Sequence, residues 1–392
     1  METSRSRGNR IASDILRVLS IVAILLILYL GFLLFVHNLF PINYRFIALG
    51  IMGFFAFLFL IKSILKAGTG KYILNIFFCS LQILFLFIVT MYIQIAVRTL
   101  DNIQQGPAFT AEEKEKQHQA VHVNVKEDGF IVYLSGIDNY DEIEYASRSD
   151  VNIIAAINPR TKQVLLTSVP RDSYLRIAGG GMDEYDKLTH AGIYGVSSSI
   201  QTLENAFDIE VNYFVRLNFR SFMNMIDAIG GVDIYNPTEF TFALDSGLYF
   251  PEGNIHLDGE SALAYVRERK SLPGGDTDRQ KNQMRVLEAA FKKALSSQFI
   301  LNYSSVMAAV SDSIETNMPQ NTIMDFVNSQ LGQQNEWTFS RTSIDGEDSY
   351  GLPSYAMPGY DLYVFVPTEE SIQKVHDDIQ ELFQGRYQNV QN

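Results

Sequence analysis

The sequence predicts an α/β fold, a mixed β-sheet flanked by helices, preceded by three transmembrane helices. Three observations carry this expectation. The first hundred of the 392 residues contain three apolar runs, near 18–36, 44–62 and 72–97. From Gly129 onward, short β-branched runs alternate with amphipathic stretches. Charge divides the same way: residues 1–100 hold nine Lys or Arg against two Asp or Glu, and the rest hold 22 against 42, within a total of −13.

The membrane elements come first. About 20 apolar residues cross a bilayer core. The first run is close to that length, and the third leaves room for tilt. The second is short, but Arg45 and Lys62 can extend it by snorkelling. Three such runs in succession leave no amphipathic face, which argues against buried helices of a soluble protein. Arg5, Arg7, Arg10 and Arg17 precede the first run, and Lys62, Lys66 and Lys71 lie between the second and third. The turn around Pro41 carries only Arg45. The positive-inside rule then puts the N-terminus in the cytoplasm and everything after Arg98 outside. A multi-pass protein of the cell membrane is expected, with the lipid bilayer as a partner and an extracellular C-terminal domain. The first run is too long for a signal peptide, and no small-residue cleavage site follows it.

Residues 99–128 read as a linker, with Gly106 and Pro107 and a charged helical stretch from Ala111 to Gln119. His118 and His122 are four apart there; a solvated pair is the better reading than a metal site. Residues 129–392 form the outer domain. FIVYLSGID, DVNIIAAIN and QVLLTSVPRD are bounded by Gly, Asp and Pro, as strands are. NPRTK makes a hairpin turn between the second and third. Apolar spacing predicts helices at Ser197–Phe207 and Ser221–Ile229 with the strand VNYFVRLN between them. Gly230 and Gly231 end the second helix. Helices follow at Gly259–Arg269 and Thr277–Leu295, the latter with Met284, Leu287 and Phe291 on one face. Then come two more helices, strands at 337–340 and 362–366, and a helix from Thr368 to Phe383. Alternation of this kind indicates one α/β domain.

Composition excludes several functions. The acidic outer domain argues against nucleic acid as a partner, since that requires a basic surface. Cys79 is the only cysteine, which excludes disulfides within the chain and a cysteine zinc site, and its place in an apolar run argues against a thiol nucleophile. Neither a Walker loop nor G-x-S-x-G occurs. Gly179–Gly181 reads as a flexible turn, and His190 as structural.

The informative residues are arginines at element ends beside carboxylates. Asp138 ends a strand in SGID; Arg148 and Asp150 precede one in SRSD; Arg171 and Asp172 follow one in VPRD. Arg267 and Arg269 close a helix in YVRERK. Asp276, placed to cap, opens the next helix with Arg279 and Gln283, four apart on one face. Surface ion pairing accounts for any single pair. Arginines converging on one pocket would mean an anion, usually phosphate, because the guanidinium fork matches its oxygens two at a time. Asp138 and Asp150 are hard oxygen ligands suited to Mg²⁺ or Mn²⁺. Metal, cations and positioning are most of what phosphoryl transfer needs.

At these residues the sequence resembles the LytR-CpsA-Psr family of cell-wall polymer transferases. The resemblance rests on the ordered set GID, ASRSD, INPRTKQVLLTSVPRD, KLTHAGIYG, YFVRLNFRSF, IGGVDI and HLDGESALAYVRERKSLPGGDTDRQKNQ, with PGYDLYVFVP near the end. It implies a membrane-anchored phosphotransferase of a Gram-positive cell. That enzyme would move a phosphorylated glycopolymer from undecaprenyl pyrophosphate to a peptidoglycan hydroxyl in a Mg²⁺-dependent reaction. By motif, Asp138 and Asp150 match the metal-linked carboxylates, and Arg148, Arg171, Arg267, Arg269, Arg279 and Gln283 the pyrophosphate-binding positions. Asp276 matches a supporting carboxylate and Lys187 a polar residue at the mouth. Arg171, Arg267 and Arg279 would spread transition-state charge, with Asp150 as a base. Three leading helices resemble the capsule-linked branch, whose extra domain is absent here, so teichoic acid, capsule and another wall polysaccharide all stay open. A lipid-binding regulator or a pyrophosphatase is the alternative; a cytoplasmic part of about 17 residues plus a short loop has no room for a DNA-binding fold.

Overall fold

The structure is a computed structural model and describes residues 2–36, 42–65, 69–105, 119–140, 143–144, 146–244, 247–295, 314–330 and 336–388. It divides into two compact units, Met1–Arg98 and Thr99–Asn392.

The first unit contains α1 (Glu2–Val36), α2 (Ile42–Ile64) and most of α3 (Thr69–Gln105). Within them, Gly8–Val36, Arg45–Ile64 and Gly70–Gln94 are long and apolar enough to cross a membrane. Small or compact residues such as Ala23, Ala56 and Cys79 are buried, while Leu28, Phe32, Phe46 and Phe77 point outward. Water would not tolerate so continuous an apolar exterior; acyl chains would. Some polar side chains in these helices bond to backbone carbonyls, which an apolar solvent favours. Ser20 Oγ donates to the Leu16 carbonyl, and Gln82 Nε2 to that of Met52.

The second unit is built on a six-stranded mixed sheet. The strand β1 (Phe130–Ile137) pairs antiparallel with β2 (Val151–Asn158), and β2 with β3 (Gln163–Ser168). The expected hairpin turn joins β2 to β3: Asn158 Oδ1 accepts the N–H groups of Arg160 and Thr161, and Lys162 is left-handed with φ 55°. A small hairpin, β4 (Tyr174–Arg176) and β5 (Tyr185–Lys187), leads to α4 (Leu188–Ala191) and α5 (Val196–Phe207). Next come β6 (Tyr213–Asn218), parallel to β1, and α6 (Phe219–Ala228), which starts on a reciprocal cap between Asn218 and Ser221. The strands β7 (Val232–Asn236), β8 (Phe240–Thr241), β9 (Tyr249–Phe250) and β10 (Gly253–Leu257) form two small ribbons. The helices α7 (Gly259–Arg267) and α8 (Asp276–Ala294) follow. The remainder is β11 (Ile314–Thr316), α9 (Gln320–Gln330), β12 (Thr338–Ser343), β13 (Gly346–Tyr350), β14 (Tyr363–Pro367) and α10 (Glu369–Phe383). The order across the sheet is β11-β6-β1-β2-β3-β12.

Strand periodicity sorts the core into two layers. Ile131, Tyr133, Ile154 and Leu165 face α5 and α10, meeting Leu203, Phe207, Ile379 and Leu382. Phe130, Val132, Ile153 and Leu166 face the other way, onto Met284 of α8 and Phe326 of α9. The expected apolar face of α8 is therefore used as predicted, with Leu287 and Phe291 packed beside Met284. A third cluster joins α6, α7 and the β7–β10 ribbon through Ile226, Ile234, Leu257 and Tyr265.

Two local expectations are corrected. The helix expected to run to Arg269 stops at Arg267, because Glu268 leaves the helical region at φ −65° and ψ 134°. Its buried carboxylate instead accepts the backbone N–H groups of Ala243, Arg269 and Ser271. Asp276 does not cap α8; Gly275 holds the N-cap position, and the Asp276 carboxylate is used elsewhere. The stretch 111–119 and His118 lie, Gln119 apart, outside the described residues, so the His118–His122 pair is not described.

Candidate active site

Antiparallel pairing sets Asp138 and Asp150 at one end of the sheet. Gly136 of β1 lies opposite Val151 of β2, so the residue leaving one strand and the residue entering the other share an edge. Strand β3 ends on the same edge, with Ser168 opposite Ile153, and delivers Arg171 three residues later. The end of α7 supplies Arg267 and then Arg269, and the first two turns of α8 supply Arg279 and Gln283. These seven residues line one cleft of about 350 Å³.

The mouth is tightly cross-linked. Arg171 Nη1 donates to Asp150 Oδ1 at 2.8 Å, and Arg171 Nε lies 3.5 Å from Asp172 Oδ2. Lys187 Nζ donates to the other Asp172 oxygen at 2.7 Å. Lys187 thus belongs to the mouth through Asp172, without lining the cleft itself. Arg267 Nη2 is 3.8 Å from Asp138 Oδ1, and its guanidinium carbon stands 4.2 Å from the centroid of the Phe219 ring. Arg279 Nη2 meets Asp276 Oδ1 at 2.7 Å, and Gln283 Nε2 donates to the Val266 carbonyl at 3.3 Å. Arg148 is not brought in. Ser149 takes the inward position, sharing a 2.8 Å hydrogen bond with Ser135, and Arg148 is exposed and off the cleft.

Electrostatics distinguish the two enclosed arginines. At Arg171 burial works against the charge, but the hydrogen bond to Asp150 and the fields of Asp150, Asp172 and Asp276 outweigh it and raise the pKa. At Arg279 burial dominates and lowers the pKa; Asp276 opposes it, while the like charges of Arg171 and Arg269 deepen it. Arg279 Nε is also buried without a hydrogen-bond partner. An orphaned donor of this kind costs about 1–3 kcal/mol, more when charged. An anion in the mouth would satisfy that donor and relieve the repulsion between the arginines.

Behind the mouth the cleft changes character. Leu134 of the sheet, Phe222 and Met225 of α6, Leu263 and Val266 of α7 and Val286 of α8 line an apolar slot. The cleft can therefore hold a ligand with an anionic head and a hydrocarbon tail.

A divalent metal fits the mouth in one specific way. Among the described residues no group of three or more His, Cys, Asp or Glu side chains is placed to hold an ion. Asp138 and Asp150 are two hard carboxylates on the cleft wall. That donor set suits Mg²⁺, which commonly holds one or two carboxylates and completes its shell with water and substrate phosphate.

Sequence reasoning missed Asp172 as the bridge between Arg171 and Lys187, Phe219 under Arg267, and Glu268, which shapes the turn carrying Arg269. Phe219, Phe222 and Met225 stand at helical spacing, which signals a shared face but not what that face borders. His190 is structural as expected: it is buried with Nδ1 2.7 Å from Asp186 Oδ1.

Comparison with known proteins agrees with this architecture. The model of the LytR_cpsA_psr family matches residues 98–380. The chain belongs to that family. A relative from Bacillus cereus, named polyisoprenyl-teichoic acid–peptidoglycan teichoic acid transferase TagU, is 37% identical over 201 residues, 51% of this chain and 64% of the relative. The match thus spans less than two thirds of that relative's length. The Enterococcus faecalis protein of the same name is 38% identical over 64% of this chain and 80% of its own length. Among solved structures, B. subtilis TagV superposes with a TM-score of 0.56 at 28% identity, covering 66% of this chain and 98% of TagV. A structure of TagT bound to LI-WTA gives 0.54 at 26% identity, covering 71% of this chain and 99% of TagT.

Proposed function

We propose that this protein is a membrane-anchored phosphotransferase. It takes a glycopolymer from a polyprenyl pyrophosphate, undecaprenyl in the first instance, and attaches it to peptidoglycan through a phosphodiester. The observation that carries this reading is the two-part cleft: arginines and an unpaired guanidinium N–H at the mouth, and an apolar slot directly behind. A lipid-linked pyrophosphate matches both parts. The names of the relatives favour a teichoic acid over a capsular polysaccharide as the polymer.

In the proposed reaction an acceptor sugar hydroxyl attacks the polymer-bearing phosphorus. The bond from that phosphorus to the bridging oxygen breaks, and polyprenyl phosphate leaves. Asp150 accepts the hydroxyl proton. Arg171, Arg267 and Arg279 hold the phosphate oxygens and spread the developing charge, which is worth most where donors are preorganised. Arg269 and Gln283 orient the head group from the α7–α8 side, and Asp276 and Lys187 hold Arg279 and Asp172 in place. Asp138 and Asp150 would hold Mg²⁺ or Mn²⁺, which when bound neutralises phosphate charge. The Lys and Arg distribution supports a cytoplasmic N-terminus and an outward-facing catalytic unit.

Purified full-length protein, supplied with lipid-linked polymer, Mg²⁺ and peptidoglycan, tests the reading. Mass analysis should find polymer joined to glycan by a phosphodiester. Free phosphorylated polymer alone would mean hydrolysis and contradict transfer.

A further inference from the structure

Four tyrosines gather beside the mouth around Lys187. Tyr174 lies opposite Lys187 in the β4–β5 hairpin, and the rings of Tyr174 and Tyr185 are 5.5 Å apart. Lys187 Nζ, held by Asp172, stands 5.8 Å from the centroid of the Tyr363 ring. Tyr363 pairs across strands with Tyr350, their rings 5.5 Å apart. Contacts therefore run unbroken from Arg171 through Asp172 and Lys187 to these rings.

The tyrosines are not a mislaid core. Tyr350 is 66% exposed and Tyr185 51% exposed. Their hydroxyls and the carboxylates between them give a face that alternates ring and polar group. Tyr363 OH donates to Asp348 at 2.8 Å, Glu184 is exposed next to Tyr185, and Arg176, also exposed, lies opposite Tyr185 in the β4–β5 hairpin. Pyranose sugars present flat C–H faces that stack on aromatic rings and rims of hydroxyls that bond to carboxylates, so this alternation matches a glycan. A greasy protein partner would call for a continuous apolar patch.

We propose that this tyrosine face is the acceptor subsite, binding the sugar backbone of a peptidoglycan strand beside the phosphate mouth. The inference rests on the proposed transfer reaction and names where its second substrate sits.

The test uses full-length protein in detergent, with uncharged oligomers of N-acetylglucosamine as the binding probe and uncrosslinked peptidoglycan as the acceptor in the transfer assay. The pair Tyr185→Ala and Tyr350→Ala, both at exposed positions, should raise the glycan dissociation constant roughly tenfold, as the loss of two ring contacts implies. In the transfer assay the KM for glycan should rise by a similar factor, with kcat and the KM for lipid donor unchanged. Tyr185→Phe with Tyr350→Phe should keep most of the binding. Unchanged glycan binding by the alanine pair overturns the proposal, and so does a rise in donor KM instead of acceptor KM, which would give the face to the polymer. Glycan binding is read without turnover. If the wild type binds glycan but transfers nothing, the reaction reading fails and the subsite stands.

Discussion

Arg171 Nη1 lies 2.8 Å from Asp150 Oδ1, so a cation proposed for phosphate and a carboxylate proposed for metal and proton are held as a pair. Each keeps the other from being a lone charge in a partly enclosed cleft, and an arriving phosphate has to share Arg171 with Asp150. Arg171→Ala should therefore lower transfer on the order of 10²–10³, by analogy with losing one preorganised donor. Stability should change by less than about 1 kcal/mol, because the pair is partly exposed. Rate measurement beside thermal unfolding checks this, and an unchanged rate would remove Arg171 from the mechanism.

Glu268 shapes the turn that presents Arg269. Its buried carboxylate takes the N–H groups of Ala243, Arg269 and Ser271, and although burial pushes its pKa up, those bonds lower it overall. Glu268→Ala strands three donors and should cost about 1–3 kcal/mol or more in urea unfolding. Glu268→Gln keeps one accepting oxygen and should lose less. Equal losses would show that the hydrogen bonds are not what the side chain contributes.

The apolar slot predicts a chain-length effect. Met225 lines it from α6. Met225→Trp fills the slot and should weaken long-chain polyprenyl donors by roughly tenfold or more, since each excluded CH₂ forfeits about 0.8 kcal/mol. A donor with a two-isoprene tail should be nearly unaffected. KM values measured for both donors decide it, and equal effects would place the tail elsewhere.

Acid stability has a specific reporter. Burial pushes the Asp186 carboxyl up, but bonds from His190, Ala356, Lys187 and Ser354 outweigh it and bring the pKa from 3.8 down to about 2. A depressed carboxylate stabilises the fold above its unfolded pKa and loses that contribution as pH falls through the folded one. The stability gap between the wild type and Asp186→Asn should thus be full above pH 3.8 and shrink toward pH 2. The pH-dependent part of that gap is about 2 kcal/mol by linkage. Denaturant melts across that range measure it, and a gap independent of pH would refute the assignment.

Much of this was legible in the sequence. Hydropathy marked the three membrane helices, and period-two strands with period-3.6 helices marked the sheet and its cover. The arginine and carboxylate positions were legible because each stands at an element end, where a sheet edge gathers residues distant in sequence. What stayed hidden depended on contacts across elements. Nothing local to Arg148 shows that Ser149 would take the inward position. Glu268 ends α7 through a bond to Ala243, 25 residues away. The slot was indistinguishable from core, because Phe222, Met225 and Val286 follow the same periodicity as side chains that pack solidly.

The central claim is that the gathered arginines form one seat for a lipid pyrophosphate. Calorimetric titration of the full-length protein with a short-chain polyprenyl pyrophosphate in Mg²⁺ tests it most directly. The account predicts saturable binding that Arg279→Ala weakens at least tenfold, since that side chain brings the unpaired Nε to the ligand. Binding of equal strength in Arg279→Ala, or none in the wild type, would contradict it.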